Sequence, residues 1–387
     1  MTVGYEQFAG QWQAGAQLAL DTIAMKSTRG IPSWMIHVME WERIEELAGH
    51  PPGSYRRDPT RVYLDMQLRA GTCMIDQWIP DNPLSMGPHG YEPGTRRQAT
   101  TGAARIERDG MLIDSPEAVA EHMEKRLFPQ LRQWAADLDA RADEHVAGRI
   151  EKEVAVQRLF GTNLLKAPYD GFQCFPGFLY GLYGYENYFA AYALWPELME
   201  RCFGLQADAG ERHNCLAARA ILAGGLPRLV RLDHDMTDSR GTLADIRSLD
   251  RIWLPHFARA IRPLLAAGVG LIWHCDGNVM PMVPLLLEAG VSGFQGFQYE
   301  DGVDYEAICR MKDRHGQPLL IIAGVSVTRT LPRGTPQDVR REMKWLVEAG
   351  PPTGLFLGAS SSIAPGVRRE NLLAMVEGLS YYREHGR

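Results

Sequence analysis

The chain has 387 residues, 45% of them hydrophobic and 23% charged, with a formal net charge of -6. This is ordinary globular composition with material for a large core. The acidic balance offers no basic patch for nucleic acid and no polybasic arm for a membrane, so a small-molecule substrate is the default.

The first thirty residues mix charged and apolar side chains without a basic start and an unbroken apolar core, so no signal peptide is read. No run approaches the roughly twenty apolar residues of a transmembrane helix. Six cysteines (Cys73, Cys174, Cys202, Cys215, Cys275, Cys309) form no CxxC pair. They suit reduced thiols in a cytoplasmic enzyme.

A β-like run, a turn and a helical pattern recur along the chain, which argues for a parallel α/β fold. The expected strands are 34–38; 72–75, ending at Asp76; 154–160, followed by Gly161, Thr162 and Asn163; 229–232, ending in Asp233, His234 and Asp235; 269–273; 292–297, leading to Glu300; 318–323, followed by Gly324 and Ser326; and 354–357, followed by Ser360, Ser361 and Ser362. Eight strands match a (β/α)8 TIM-type barrel, and most end in polar or small residues on the side where that fold places its active site. A doubly wound sheet is the alternative, but no GxGxxG follows an early strand. The chain reads as one domain, 1–387, with 81–150 as a lid-like insertion of a hairpin and helices between strands two and three.

Within that insertion Asp109-Gly110 separates two alternating runs over 105–113, a hairpin signal. A lid over the mouth and a plain surface hairpin both fit it. Ser115-Pro116-Glu117 starts a helix that runs toward a kink at Pro129. Residues 172–195 are dense in aromatics: a glycine-rich loop over the site, then a helix from about Tyr185. Thr335-Pro336-Gln337-Asp338 starts another helix, with Thr335 as N-cap and Pro336 at the first helical position.

Four constellations carry chemistry. The run 270–273 stops at His274, Cys275 and Asp276. His274 and Asp276 are two apart, so on a strand they share a side, as a metal-binding or acid–base pair or as a structural one. In Arg231-Leu232-Asp233-His234-Asp235, Asp233 and Asp235 share a face and His234 points away. Asp235 either positions substrate or acts as a base, or it pairs with Arg231, Arg240 or Arg247. Glu300 either completes a metal site with His274, takes a proton, or starts a helix. The run 358–365 presents serine hydroxyls without a GxSxG elbow.

Taken with LDHDMTDSRG, LIWHCDGNVMPMVPLLLEAGVSGFQ, LLIIAGVSVTRTLPRGTPQDVRREM and SSSIAPGVRRENLLAM, these segments resemble the uroporphyrinogen decarboxylase superfamily. The resemblance implies a TIM-type barrel with one of two activities. One is cofactor-free decarboxylation; the other is zinc-dependent methyl transfer between methyl-corrinoid proteins and a thiol. It also implies a homodimer.

The chain departs from both patterns. Where decarboxylases carry an arginine-rich RQAGRY-like segment, residues 27–32 hold only Arg29, and Ser361 stands where they carry a histidine. Asp76 matches their aspartate after strand two. Where the methyltransferases bind zinc with His-x-Cys and a later Cys, His274 is present, but Asp276 and Ser361 occupy the thiolate places and Cys275 faces away.

The expectation is therefore a methyltransferase-like enzyme, using a corrinoid carried by a partner protein or a methylated small molecule. The metal would be a divalent ion such as zinc on His274, Asp276 and Glu300. His274, Asp276, Asp235 and Glu300 are the catalytic set, and Asp76, Asn163, Ser326 and Ser361 line the substrate pocket. The alternatives are a cofactor-independent decarboxylase or lyase on a carboxylated aromatic or pyrrolic substrate, and a non-catalytic small-molecule-binding protein.

Overall fold

A computed structural model of the chain describes residues 4–81 and 105–387, together with the backbone of Met86–Gly87 and Gly90–Tyr91. The rest of 82–104, within the insertion expected as a lid, lies outside the described residues.

Eight parallel extended segments form a TIM-type barrel. Five make a continuous sheet in the order Leu229–Asp233, Gly270–His274, Gly293–Gln295, Leu320–Val325, Leu355–Ala359. Ser33 bridges Leu357 and Trp34 bridges Met74, which carries the wall to Met74–Ile75. That strand pairs with Leu165–Lys166. The strands are buried on both faces, as expected when helices cover the outside of a parallel wall.

Among the described residues no backbone ladder joins Leu165–Lys166 to Leu229–Asp233. Side chains cross this seam instead. The Tyr169 hydroxyl donates to Asp233 Oδ2 at 2.8 Å. Arg231 donates from Nε to Asp76 Oδ2 at 2.7 Å and from Nη1 to Asp233 Oδ2 at 2.6 Å. The guanidinium carbon lies 4.5 Å from the Tyr169 ring centroid and 5.3 Å from that of Trp34. Trp34 Nε1 also donates to Asp76 at 3.1 Å.

Most expected strands fall where apolar runs meet polar ends. One does not. Residues 154–160 are the last turns of the helix Ala142–Phe160, and the third strand is Leu165–Lys166. Val154 and Val156 favour a strand locally, but Ile150, Glu153, Val154, Gln157 and Phe160 are buried at helical spacing. Glu153 is fixed there by Lys166 Nζ at 2.8 Å, a pair almost wholly buried.

The hairpin forms at Glu107–Arg108 and Met111–Leu112. Asp109 (φ 47°) and Gly110 (φ 77°) supply the two left-handed residues that a tight two-residue turn requires. It packs against the aromatic segment, with Arg108 Nε donating to the Leu182 carbonyl at 2.9 Å. Pro129 stands in the first turn of Phe128–Ala140, directly after a π-type turn at Met123–Leu127. Tyr185–Leu194 is the expected aromatic helix. Thr335 caps Pro336–Ala349 in a reciprocal capping box with Asp338. Among the described residues no helix is long and apolar enough to cross a membrane.

Arg231→Ala leaves two carboxylates without their cation inside the wall and should cost about 3–5 kcal/mol in urea unfolding. A loss comparable to that of an exposed arginine would contradict the role given to it. Thr335→Ala should cost about 1 kcal/mol in the same measurement.

Candidate functional site

Strand register sets the site. His274 stands opposite Asp233 on one neighbouring strand and opposite Gln295 on the other. The residue is 8% exposed. Nδ1 lies 3.2 Å from the Gln295 carbonyl oxygen. A carbonyl can only accept, so this contact places the proton on Nδ1 and leaves Nε2 facing the mouth as a lone-pair donor. Gly296, at φ 78°, makes the contact possible, because a β-carbon there would lie 2.6 Å from Nδ1.

Asp276 follows at the strand end, with Oδ1 4.0 Å from His274 Nε2. Its carboxylate accepts from Gln298 Nε2 at 3.2 Å and has the Ser361 hydroxyl 3.5 Å away. Asp235 arrives from the adjacent strand end, and its Oδ1 accepts the Asp276 backbone N–H at 3.0 Å. Ligand atoms of Asp235, His274 and Asp276 all lie within 4.8 Å of one another. One nitrogen and two carboxylates in that space form a hard donor set suited to a divalent cation.

Among the described residues no arginine neutralises this group. Arg240 pairs with Asp238, Arg247 with Asp245, and Arg231 with Asp76 and Asp233. Asp235 reaches solvent at the mouth but is walled by protein elsewhere. That desolvation raises its carboxyl pKa, and the neighbouring Asp276 carboxylate raises it further. Asp233 shows the opposite balance. Burial would raise it, but His274 and Arg231 outweigh that effect and hold it below its ordinary value.

His234 turns away, as the alternation predicts. Its Nε2 accepts the Phe178 backbone N–H at 2.8 Å, so the ring is a neutral acceptor, and burial pushes its pKa down to about 4. The aromatic loop is thereby anchored beside the mouth, and the Tyr180 hydroxyl donates to the Asp235 carbonyl at 2.9 Å. Cys275 also faces away. Its sulfur accepts from the Met236 N–H at 3.2 Å, and burial pushes the thiol up to about 12.

The structure thus gathers Asp235, His274, Asp276 and Ser361. Asp76 sits below them, engaged by Trp34 and Arg231. Glu300, expected beside His274, is outside the group: its carboxylate accepts from the Ser326 hydroxyl at 2.8 Å and from the Thr328 hydroxyl. Asp235 is instead the third group within 4.8 Å of His274 and Asp276. Asn163 precedes its strand rather than following it, and with Thr72 and Arg383 it lines a cavity at the opposite end of the barrel. Sequence reasoning missed Gln298. It lies just beyond the strand Gly293–Gln295, and nothing in its neighbours signals that its amide reaches back to Asp276.

Neither a family model nor a curated protein sequence matches the chain. Among solved structures, it is similar to a methyltransferase from Methanosarcina mazei at a TM-score of 0.57 and 14% identity, covering 96% of this chain and 99% of that one. This likeness spans the whole barrel and shows the fold. A B12-independent methionine synthase from Shewanella sp. W3-18-1 matches at a TM-score of 0.34 and 13% identity, over 48% of this chain and 55% of that one.

Because Asp235 and Asp276 repel each other, Asp235→Asn should make the metal-free protein more stable at neutral pH. With the Asp235 pKa raised, the folded state favours the protonated carboxyl. The wild type therefore loses stability as pH rises from the unfolded to the folded pKa. Thermal unfolding in chelator from about pH 4 to pH 8 should show the two proteins converging at the acid end. Parallel curves would refute the repulsion.

Proposed function

We propose that the chain is a methyltransferase-like enzyme of the uroporphyrinogen decarboxylase superfamily, with a divalent cation held by Asp235, His274 and Asp276. The observation that carries this reading is the convergence of those three side chains at two adjacent strand ends, with two carboxylates that no arginine among the described residues neutralises. The residues fit a cation: His274 Nε2 is turned inward by the Gln295 carbonyl, and a positive ion would relieve the repulsion that raises Asp235. Such an ion, when bound, lowers the pKa of a thiol or hydroxyl acceptor and so favours its nucleophilic form.

The protein's own contribution is to orient and enclose. Gln298 and Ser361 fix the Asp276 carboxylate. Tyr180 and the loop anchored on His234 wall one side of the mouth. Asp235 is held beside them by the Asp276 backbone N–H. The methyl donor in this reading is a methylated small molecule or a corrinoid carried by a partner protein, and the barrel works as a homodimer with the 81–150 insertion as its lid.

The decarboxylase alternative asks Asp76 to face cationic charge developing on a pyrrolic ring. Asp76 is instead ion-paired with Arg231 at 2.7 Å, which weakens that reading.

Protein purified without chelator should contain about one divalent ion per chain by elemental analysis. His274→Ala and Asp276→Asn should each lower that content at least ~10-fold and abolish thiol methylation in an assay with a methylated corrinoid protein. Metal content and methyl transfer both intact in His274→Ala would overturn the proposal. Affinity for the ion should also fall as pH is lowered, by up to ~10-fold per unit below the Asp235 pKa, because that ligand must lose a proton to bind. A pH-independent affinity would remove Asp235 from the ligand set.

A further inference from the structure

Glu300 and Ser326, left out of the cluster at the mouth, line a separate cavity of about 700 Å³. It lies between the loops that follow Gly293–Gln295 and Leu320–Val325 and the start of Pro336–Ala349. A cavity of this size is in the range that encloses a small organic molecule. Tyr299 and Trp345, edge to face with ring centroids 5.0 Å apart, supply its apolar surface.

Three carboxylates and three arginines also line it, so net charge alone does not select a ligand. What selects it is which of these groups already have partners. Glu300 is engaged by the Ser326 and Thr328 hydroxyls. Glu342 accepts the Ser326 backbone N–H at 2.8 Å. Asp338 is engaged by Arg341 and by the Thr335 backbone N–H at 2.9 Å. Arg341 is thereby used as well.

Arg329 and Arg333 are different. They are four residues apart across one helical turn, with the Arg333 N–H donating to the Arg329 carbonyl at 3.0 Å, so their side chains emerge on the same side. Both are exposed. Arg329 acts on the Glu342 carboxyl only at a distance. Neither guanidinium has a hydrogen-bond or ion-pair partner among the described residues. The unsatisfied capacity in this cavity is therefore cationic donors. Paired guanidinium forks match the geometry and charge of a phosphate dianion.

We propose that this cavity binds a small phosphomonoester, with its phosphate between Arg329 and Arg333 and its apolar part against Trp345. The site is distinct from the Asp235–His274–Asp276 cluster and does not rest on a metal being bound there. It touches that cluster through one segment: Gln298, which holds Asp276, directly precedes Tyr299 and Glu300. An occupant can thus influence the mouth without entering it.

Phenyl phosphate and inorganic phosphate, titrated calorimetrically into the full-length protein at constant ionic strength, test the assignment. Both should bind, phenyl phosphate more tightly, and phenol should not bind comparably. The double variant Arg329→Ala/Arg333→Ala should lose roughly ten-fold or more in affinity while keeping its circular dichroism and ligand-free melting temperature, since both side chains are exposed. Asp276→Asn should retain phosphate binding. Absence of binding in the wild type, undiminished binding in the arginine double variant, or loss in Asp276→Asn alone would overturn the proposal. The last result would place the anion on the cluster at the mouth instead.

Discussion

The buried guanidinium of Arg231 holds the barrel mouth together. It enters where the wall has no backbone ladder among the described residues, between Leu165–Lys166 and Leu229–Asp233, and binds a carboxylate on each side of that seam. An arginine suits this position because its planar fork serves two carboxylates at once, while its faces pack on Trp34 and Tyr169. Burial works against the charge, and Asp76 and Asp233 outweigh that penalty. The wall is thus continued by side chains where the backbone stops.

The same pairing fixes the chemistry above it. By pairing with Asp76 and Asp233, Arg231 is held away from Asp235 and Asp276. Arg240 and Arg247 are taken by acids two residues away on their own loops. The carboxylates at the mouth are left facing each other and the His274 lone pair. This segregation, rather than the number of acids, makes the cluster attractive to a cation. The buried thiol of Cys275 points behind the strand and adds no soft donor, so the donor set is nitrogen and oxygen.

Much of this was legible along the chain. Six of the strands lie at apolar runs ending in polar residues, and strict alternation correctly turned His234 and Cys275 away from His274 and Asp276. The capping residues at Thr335 and the Asp109-Gly110 turn were equally readable, because each depends on neighbours only a few positions apart. The errors arose where distant contacts decided. Residues 154–160 have strand-like composition, but Glu153 is held by Lys166 and the segment packs as a helix face. That displaced strand then carried Asn163 to the wrong end of the barrel. From the sequence Glu300 is the third ligand and Asp235 a base or positioning group, but the Ser326 and Thr328 hydroxyls hold Glu300 elsewhere.

The order of residues alone sets the barrel architecture, the strand ends that carry function, and the side of each strand on which a residue projects. These follow from hydrophobic period and local turn chemistry, which act over a few residues. Which acids have a cation and which do not was settled in three dimensions. Arg231 could have paired with Asp235 on sequence grounds as readily as with Asp76, which lies 155 positions away. Charge pairing is set by distance in space and by burial, and neither is written in the order of residues.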